Sequence, residues 1–310
     1  MERKMIYADN AATTKLSEAA LSAMLPYLRE EYGNPSGLYA FAQRQKEVLE
    51  RCRGEIAKIL NCEAREIYFA SGGSEADKQA LLSLAAAGEK KGKKHIVSTA
   101  FEHHAVLHTL RKLQARGFEV TLLPVHEDGI VRPEEAEAAI RPDTAFVTVM
   151  YANNEIGTIQ PISAIGEICA RRGVPFHTDA VQAAGAIPLD VNAPRVDMMS
   201  ISGHKFYGPK GVGALYIRSG VKTGKILTGG HQERGMRGGT TNVPGVVGMA
   251  EALRLAVAKL DENAAYISSL RDRFIARVQK EIPFVKLNGH PKNRLPSNAN
   301  FSFRYVEGES

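Results

Sequence analysis

The sequence has few cysteines and no long hydrophobic run, and both absences narrow the class of protein. Its three cysteines are Cys52, Cys62 and Cys169, without Cys-x-x-Cys spacing. A small, odd number of cysteines argues against a disulfide framework and against a zinc site, so we expect a cytoplasmic protein without a metal. No stretch of about 18 apolar residues suggests a transmembrane helix, and the first residues show no signal-peptide pattern.

The composition is that of an ordinary globular chain with a slight basic excess. Hydrophobic residues make up 44% and charged residues 24% of the 310, which excludes an intrinsically disordered protein. The net charge of +6 is dispersed, and its densest run, residues 89–94, holds no aromatic side chain. Nucleic-acid binding is therefore the weakest interpretation, and we expect an enzyme with no nucleic-acid or membrane partner.

Short apolar segments alternate with helical patterns along the middle of the chain. β-Branched segments of this kind are typical of strands buried on both faces, and the alternation predicts an α/β fold with a mostly parallel sheet between helices. The predicted strands are 66–70, 95–99, 119–123, 145–151, 174–178 and 197–201, with 211–218 as an added strand and 284–287 and 300–305 as later, half-buried ones; the predicted helices include 38–60, 105–116 and 161–172.

The C-terminal part of the chain predicts a second, smaller unit. Residues 246–280 form a long helical pattern rich in alanine and leucine, with a break near Asn263, and the two half-buried strands follow it. We therefore predict a large domain over 15–258 and a small α/β domain built from 1–14 and 259–310.

Polar residues follow the predicted strands, at the edge where open parallel sheets bind ligands. Residues 71–76 (SGGSEA) come directly after a strand and open a helix. Gly73 and Ser74 are therefore placed to bind a phosphate at a helix N-terminus; a plain turn capped by serine is the alternative. The segment matches neither the Walker A nor the dinucleotide-binding pattern.

Two further segments carry groups that suit a phosphorylated aromatic aldehyde. Asp179 lies where a buried strand ends, and a carboxylate there pairs with a protonated pyridine nitrogen or, alternatively, caps the next helix. Lys205 follows another strand between glycine-rich turns, where a desolvated amine attacks a carbonyl carbon; a lone lysine is otherwise a solvated side chain. Ser202 and His204 lie in the same turn and suit the phosphate.

His103 and Asn154 follow two more predicted strands. A histidine at this edge stacks on a flat ring or moves protons near neutral pH. The amides in 153–157 (NNEIG) suit a phenolic oxygen or a substrate carboxylate. Phosphate donors, a ring stacker, a pyridinium partner and an imine-forming lysine are together what pyridoxal 5′-phosphate (PLP) requires.

Motifs from residue 7 to the last residue carry a family resemblance. They are 7–14 (YADNAATT), 33–36 (GNPS), 102–103 (EH), 153–157 (NNEIG), 177–180 (HTDA), 202–213 (SGHKFYGPKGVG), 233–240 (ERGMRGGT) and 306–310 (VEGES). On these motifs the chain resembles the NifS/IscS-type cysteine desulfurases of the class-V aminotransferase family. The resemblance implies the PLP-dependent transferase fold of type I, with a smaller and here incomplete α/β domain.

The resemblance also implies residue roles. Lys205 forms the imine with the cofactor and later carries a proton, and His103 stacks on the ring and assists proton transfer. The other implied cofactor-binding residues are Asp179 at the pyridine nitrogen, Gln182 at the ring hydroxyl, Asn154 near that hydroxyl and the substrate, Gly73, Ser74, Ser202 and His204 at the phosphate, and Thr240 at the phosphate of the neighbouring subunit in a homodimer.

The activity that the resemblance implies is removal of sulfur from L-cysteine. The products are L-alanine and an enzyme-bound persulfide, whose sulfur passes to an iron–sulfur scaffold or to another acceptor protein. The alternatives are another PLP-dependent aminotransferase or lyase, which the fold and the lysine alone do not separate, and a non-catalytic PLP-binding paralogue.

The chain departs from the family in two places. The family's catalytic cysteine and carboxylate-binding arginine lie beyond the EGES motif, where this sequence ends, so we expect a fragment or a shortened form. None of the three cysteines takes the nucleophile's place. In the first loop, Ser74 replaces the usual threonine and Lys78 the usual asparagine; nothing in the sequence explains Lys78.

Overall fold

Helices and strands alternate along the chain in a computed structural model that describes residues 5–225 and 227–307. The helices are α1 (Glu18–Arg29), α2 (Ala40–Leu60), α3 (Gly73–Glu89), α4 (His104–Gln114), α5 (Pro133–Ala139), α6 (Ile162–Arg172), α7 (Val243–Ala258) and α8 (Leu260–Glu281). The strands are β1 (Ile67–Ala70), β2 (His95–Thr99), β3 (Glu119–Leu123), β4 (Thr144–Thr148), β5 (Phe176–Asp179), β6 (Met198–Ser202), β7 (Gly213–Ile217), β8 (Val285–Leu287) and β9 (Phe301–Phe303). The last three residues of the 306–310 motif lie outside the described residues.

The large sheet is mostly parallel, as the sequence predicts. Its seven strands follow the order β1-β7-β6-β5-β4-β2-β3. Only β7, from the predicted added strand, runs antiparallel to its neighbours within this described sheet, and all other pairs are parallel. Because β1 and β6 point the same way on either side of β7, their last residues, Ala70 and Ser202, both lie opposite Gly213. This brings two distant parts of the chain to one point on the sheet edge.

Helices cover both faces of this sheet. Successive side chains of a strand point to opposite faces, and in β6 Met198 packs in the core beneath α3 and α4, whereas Met199 packs in the core beneath α2, α6 and α7. Burial on both faces explains why the strands read as continuous apolar runs.

Some predicted element boundaries are wrong by a few residues. α7 ends at Ala258 and α8 begins at Leu260, so the break lies at Lys259 rather than near Asn263. No glycine or proline marks this junction, and the apolar pattern runs across it. β4 ends at Thr148 rather than at 151. The N–H groups of Val149 and Tyr151 still donate to β5, but the Met150 N–H donates to the buried Glu102 carboxyl group rather than to a backbone carbonyl.

The C-terminal residues form a smaller unit of α8 and the antiparallel hairpin β8–β9. It joins the loop after β4 through hydrogen bonds from Arg294 to Ile156 O, from Leu295 N to Gly157 O and from Asn298 to Glu155 O. The N-terminal segment contacts the turn after β6, where the Thr14 N–H donates to His204 O. The predicted domain boundaries stay a prediction. None of the helices in the described ranges has the length and apolar character that crossing a membrane requires.

Candidate active site

A cavity of about 730 Å³ opens at the C-terminal edge of the parallel strands. Its lining includes every predicted site residue except Thr240, namely Gly73, Ser74, His103, Asn154, Asp179, Gln182, Ser202, His204 and Lys205. Thr240 is exposed and lies outside this lining, so its predicted contact with a neighbouring subunit stays a prediction.

One end of the cavity is a recess at the N-terminus of α3. A Cβ atom on Gly73 would lie 2.6 Å from Val181 Cγ2 and 3.5 Å from Ser202 Cβ, so only glycine fits without a shift of its neighbours. This recess is surrounded by the side chains of Ser74 and Ser202 and by the first backbone N–H groups of the helix, which have no partner within the helix. Hydroxyl groups and a helix N-terminus are the groups that bind a phosphate.

His204 closes the recess from the turn after β6. Its Nδ1 atom lies 3.1 Å from Thr13 Oγ1. Burial, followed by the charges of Lys205 and Lys210, lowers the pKa of His204, so the imidazole is neutral at physiological pH. It is therefore placed to offer a phosphate a neutral N–H donor.

Asp179 ends β5 and is buried, with 4% of its surface exposed. Its Oδ1 accepts a hydrogen bond from Val181 N at 2.9 Å. Burial raises the pKa of the Asp179 carboxyl group to about 6, against the opposing effects of that hydrogen bond and of Lys205. The group is thus an anion at neutral pH, in a setting that favours pairing with a cation.

Lys205 follows β6 in a 3₁₀ turn, Gly203–Lys205. Its Nζ donates to Ala11 O at 2.5 Å and to Ala12 O at 2.8 Å, and the Gln182 Nε2 atom donates to Ala11 O at 2.9 Å. Burial lowers the pKa of the Lys205 amine, although Asp179 and Asp9 oppose this effect. The N-terminal loop therefore covers the lysine.

His103 lies at the cavity rim, at the start of α4. Its Nδ1 accepts a hydrogen bond from Ala105 N at 3.1 Å, which assigns the proton of the neutral ring to Nε2. Partial burial, followed by the charges of His104 and Lys205, lowers its pKa. At physiological pH the ring is therefore neutral, with Nε2–H as its hydrogen-bond donor and Nδ1 as its acceptor.

The two asparagines of the NNEIG motif have different positions. Asn153 holds the loop, because its Oδ1 accepts from Glu155 N and Ile156 N while its Nδ2 donates to Phe101 O. Asn154 lines the cavity. Only the second asparagine is placed to contact a ligand.

Sequence reasoning missed three buried ionisable side chains at or beneath the cavity. Asp77 lines it from α3, one helical turn after Ser74, and that spacing is the signal that was available. Burial raises the pKa of Glu102 to about 8 and lowers the pKa of His177 to about 3, so both are neutral at physiological pH.

The three cysteines lie elsewhere. None of them lines the cavity, and all are free thiols. Burial raises the pKa of Cys52 to about 11 and the pKa values of Cys62 and Cys169 to about 12. Thiols of such high pKa are poor nucleophiles at neutral pH.

Comparisons with known proteins agree with this architecture. Residues 6–310 match the family model for aminotransferase class-V. The chain is 51% identical over 309 residues to the cysteine desulfurase IscS of Methanosarcina thermophila, a match that covers 100% of this chain and 76% of that protein.

Two solved structures share the fold over nearly the whole chain. A NifS-like protein matches with a TM-score of 0.95 at 38% identity, covering 99% of this chain and 84% of that one. SspA, in a structure with cysteine, matches with a TM-score of 0.85 at 33% identity, covering 97% and 84%. The chain therefore belongs to the class-V aminotransferase family, among the NifS/IscS-type cysteine desulfurases.

Proposed function

We propose that the chain is a PLP-dependent cysteine desulfurase, which removes sulfur from L-cysteine and releases L-alanine. The observation that carries this proposal is that Lys205, Asp179 and the recess at α3 all line one cavity. The names of the relatives support the substrate, since they are cysteine desulfurases and one matching structure contains cysteine.

The residues present fit the cofactor. The recess at the N-terminus of α3 is lined by Ser74, Ser202 and His204, as expected where a phosphate binds. Asp179 is a buried anion at neutral pH, which suits a pyridinium nitrogen. Lys205 has a lowered pKa, which favours the neutral amine that attacks an aldehyde.

In the proposed reaction the cofactor, when bound, supplies an electron sink for the carbon atoms of the substrate. Asp179 holds a proton on the ring nitrogen through its charge. Lys205 Nζ takes and returns the proton of the substrate's α-carbon, because burial lowers its pKa and so favours the neutral amine that accepts a proton. His103 presents its Nε2–H as a hydrogen-bond donor at the rim, since its Nδ1 already accepts from Ala105 N.

A thiolate attacks the sulfur atom of the substrate and forms an S–S bond with it as the C–S bond breaks, which leaves a persulfide on the attacking thiol. The electron pair of the broken bond stays with the substrate, whose carbon takes up a proton to give alanine. Cys52, Cys62 and Cys169 lie away from the cavity and have raised pKa values. The proposed acceptor is therefore a thiol other than these three. We further propose that the active unit is a homodimer, in which Thr240 reaches the phosphate bound by the partner subunit. The proposed final sulfur acceptor is an iron–sulfur scaffold or another protein. The proposed location is the cytoplasm, which the free thiols support.

The decisive experiment follows alanine release from L-cysteine with an excess of an added small thiol. The wild-type chain with PLP is expected to show a visible cofactor absorbance band and to release alanine. Lys205→Ala should lose both, whereas Lys259→Ala, a change at the α7–α8 junction, should keep both.

Other outcomes would point to the alternatives. A 2-oxo acid product without alanine would indicate an aminotransferase. A stable absorbance band without turnover would indicate a non-catalytic PLP-binding protein. Alanine release by Lys205→Ala at the wild-type rate would overturn the lysine assignment.

A further inference from the structure

Asp77 is a buried carboxyl group at the edge of the same cavity, and one of its two oxygen atoms has no hydrogen-bonded partner in the described part of the chain. It is 1% exposed, and within the described residues its Oδ1 atom has no hydrogen bond. His177 Nε2 lies 3.6 Å from Oδ1, too far for a hydrogen bond, and this nitrogen already pairs with Ser200 Oγ at 3.0 Å. A charge without partners in such a place is very unfavourable.

A second carboxyl group lies beside it. Ligand atoms of Asp77, Asp179 and His103 all lie within 4.8 Å of one another. Two buried carboxyl groups this close do not both ionise, and their surroundings decide which one keeps the proton. Asp179 receives the Val181 N–H and faces Lys205, so its surroundings favour the negative charge.

The surroundings of Asp77 favour the protonated form of its carboxyl group. Besides Asp179, the titratable groups around it are Glu102, His177 and His103; the pKa of His103 is lowered by burial, so it adds no positive charge at neutral pH. Burial, followed by the charges of Asp179 and Glu102, raises the pKa of Asp77 well above its usual range, against a smaller effect of the Ser200 hydroxyl. His177 supplies no positive charge, because burial lowers its pKa to about 3.

We propose that Asp77 is a positioning residue that remains a neutral carboxylic acid, so that the Asp77–Asp179 pair holds one proton and presents one negative charge to the cofactor's ring nitrogen. A single charge balances a single pyridinium, and the proton on Asp77 keeps that charge on Asp179. The role of Asp77 in the reaction rests on the proposed function, whereas the one-proton state of the Asp77–Asp179 pair does not.

The first test is infrared spectroscopy of the cofactor-free, full-length chain. A protonated carboxyl group has its own C=O stretching band, and wild type should retain one at pH values above the pKa of about 8 of Glu102. Asp77→Asn should remove this band. Glu102→Gln should remove only a band that fades as the pH rises through about 8. Absence of a persistent band from wild type, or its survival in Asp77→Asn, would overturn the proposal.

The second test measures the PLP dissociation constant and the pH profile of the visible absorbance. Asparagine mimics the neutral acid, so Asp77→Asn should bind PLP within about threefold of wild type with the same profile. Asp77→Ala removes the group and should weaken binding by about 5- to 150-fold. Asp261→Asn, on the surface of α8, is the control.

The two tests separate two kinds of failure. A profile shifted by about one pH unit or more in Asp77→Asn would mean that Asp77 is ionised in wild type, which contradicts the proposal. A wild-type chain that shows the persistent infrared band but binds no PLP would overturn the proposed function and leave the one-proton pair standing.

Discussion

Asp179 is a residue at which cofactor binding and stability oppose each other. The fold buries its carboxyl group and raises its pKa from 3.8 to about 6. Between these two pH values the folded state binds more protons than the unfolded state, so the free energy of unfolding falls as the pH rises, and above pH 6 the loss is complete. In the proposed function, the same buried charge pairs with a pyridinium nitrogen.

Replacing Asp179 with asparagine should therefore stabilise the cofactor-free protein and weaken cofactor binding. At pH 8 we expect a gain of about 2–3 kcal/mol in the free energy of unfolding, because asparagine carries no charge to bury. The gain should shrink as the pH falls from 6 towards 3.8. Urea denaturation at several pH values measures it, with Asp261→Asn as the surface control; an equal gain in both variants would contradict the explanation.

Helix α3 is the element that joins the phosphate recess to the core. It begins at Gly73, beside Val181 and Ser202, and its buried face carries Asp77 and the alanine and leucine side chains of the core. A shift of its first turn should therefore change the proposed cofactor site without unfolding the protein.

Gly73→Ala should weaken PLP binding by about tenfold or more. The new Cβ atom would lie 2.6 Å from Val181 Cγ2, so the helix start or the loop after β5 has to move. Gly54→Ala in α2 is the matched control, because nothing lies within 4 Å of its Cβ position, and it should gain about 0.5–1 kcal/mol in stability. Isothermal titration with PLP gives the first result and thermal unfolding the second. Unchanged PLP affinity in Gly73→Ala would show that the recess is not the phosphate site.

The loop that carries Thr240 is held to the sheet by a buried ion pair. Arg53 donates to both carboxylate oxygens of Glu233, at 2.7 and 3.0 Å, and the Phe69 N–H donates to the same carboxylate at 2.8 Å. The side chains of the pair are 4% and 3% exposed. Removing Glu233 leaves the buried Arg53 guanidinium with only the more exposed Glu50 carboxylate and Ile67 O as partners among the described residues.

Glu233→Ala should accordingly lower the free energy of unfolding by about 3–5 kcal/mol. Glu251→Ala breaks a more exposed pair with Arg254 and should cost less than about 1 kcal/mol. Chemical denaturation of both variants makes the comparison. Similar losses would mean that the Arg53 charge finds water or another partner when Glu233 is removed.

At the level of elements, the sequence predicts the bounds of helices and strands best where the hydrophobic periodicity and the residues that end an element agree. The bounds of β2 and β3 match the prediction residue for residue, and α6 ends before Gly173, which takes the left-handed φ of 62°. The break between α7 and α8 carries no such signal, since Lys259 leaves the helical conformation without glycine or proline nearby. Tertiary contacts fix that boundary, and one sequence does not show them.

For the molecule as a whole, cofactor binding should raise stability by mass action. At a free PLP concentration about 100 times the dissociation constant, the free energy of unfolding should rise by about 2.7 kcal/mol. Pyridoxal without the phosphate should raise it much less, because it leaves the α3 recess unfilled. Thermal unfolding at rising ligand concentrations tests this. Equal stabilisation by both compounds would contradict a phosphate site in the recess.

The candidate site was predictable because its residues end strands, and parallel strands end on one edge. Only Thr240 of the predicted set falls outside the cavity lining. The groups that the sequence did not reveal belong to no motif, and their importance comes from their short distance to Asp179 in the fold. Asp77 and Glu102 are ordinary acidic residues in the sequence, and only the fold shows that both are buried near Asp179.

The reversed strand β7 has a consequence for the order in which the protein forms. Ala70 and Ser202 meet across Gly213, so the recess at α3 and the lysine turn come together only after the remote strand β1 has paired with β7. Pairings between remote segments are slow steps in folding. Capture of PLP during refolding should therefore lag behind helix formation, which makes the colour of the bound cofactor a reporter of the last stage of folding.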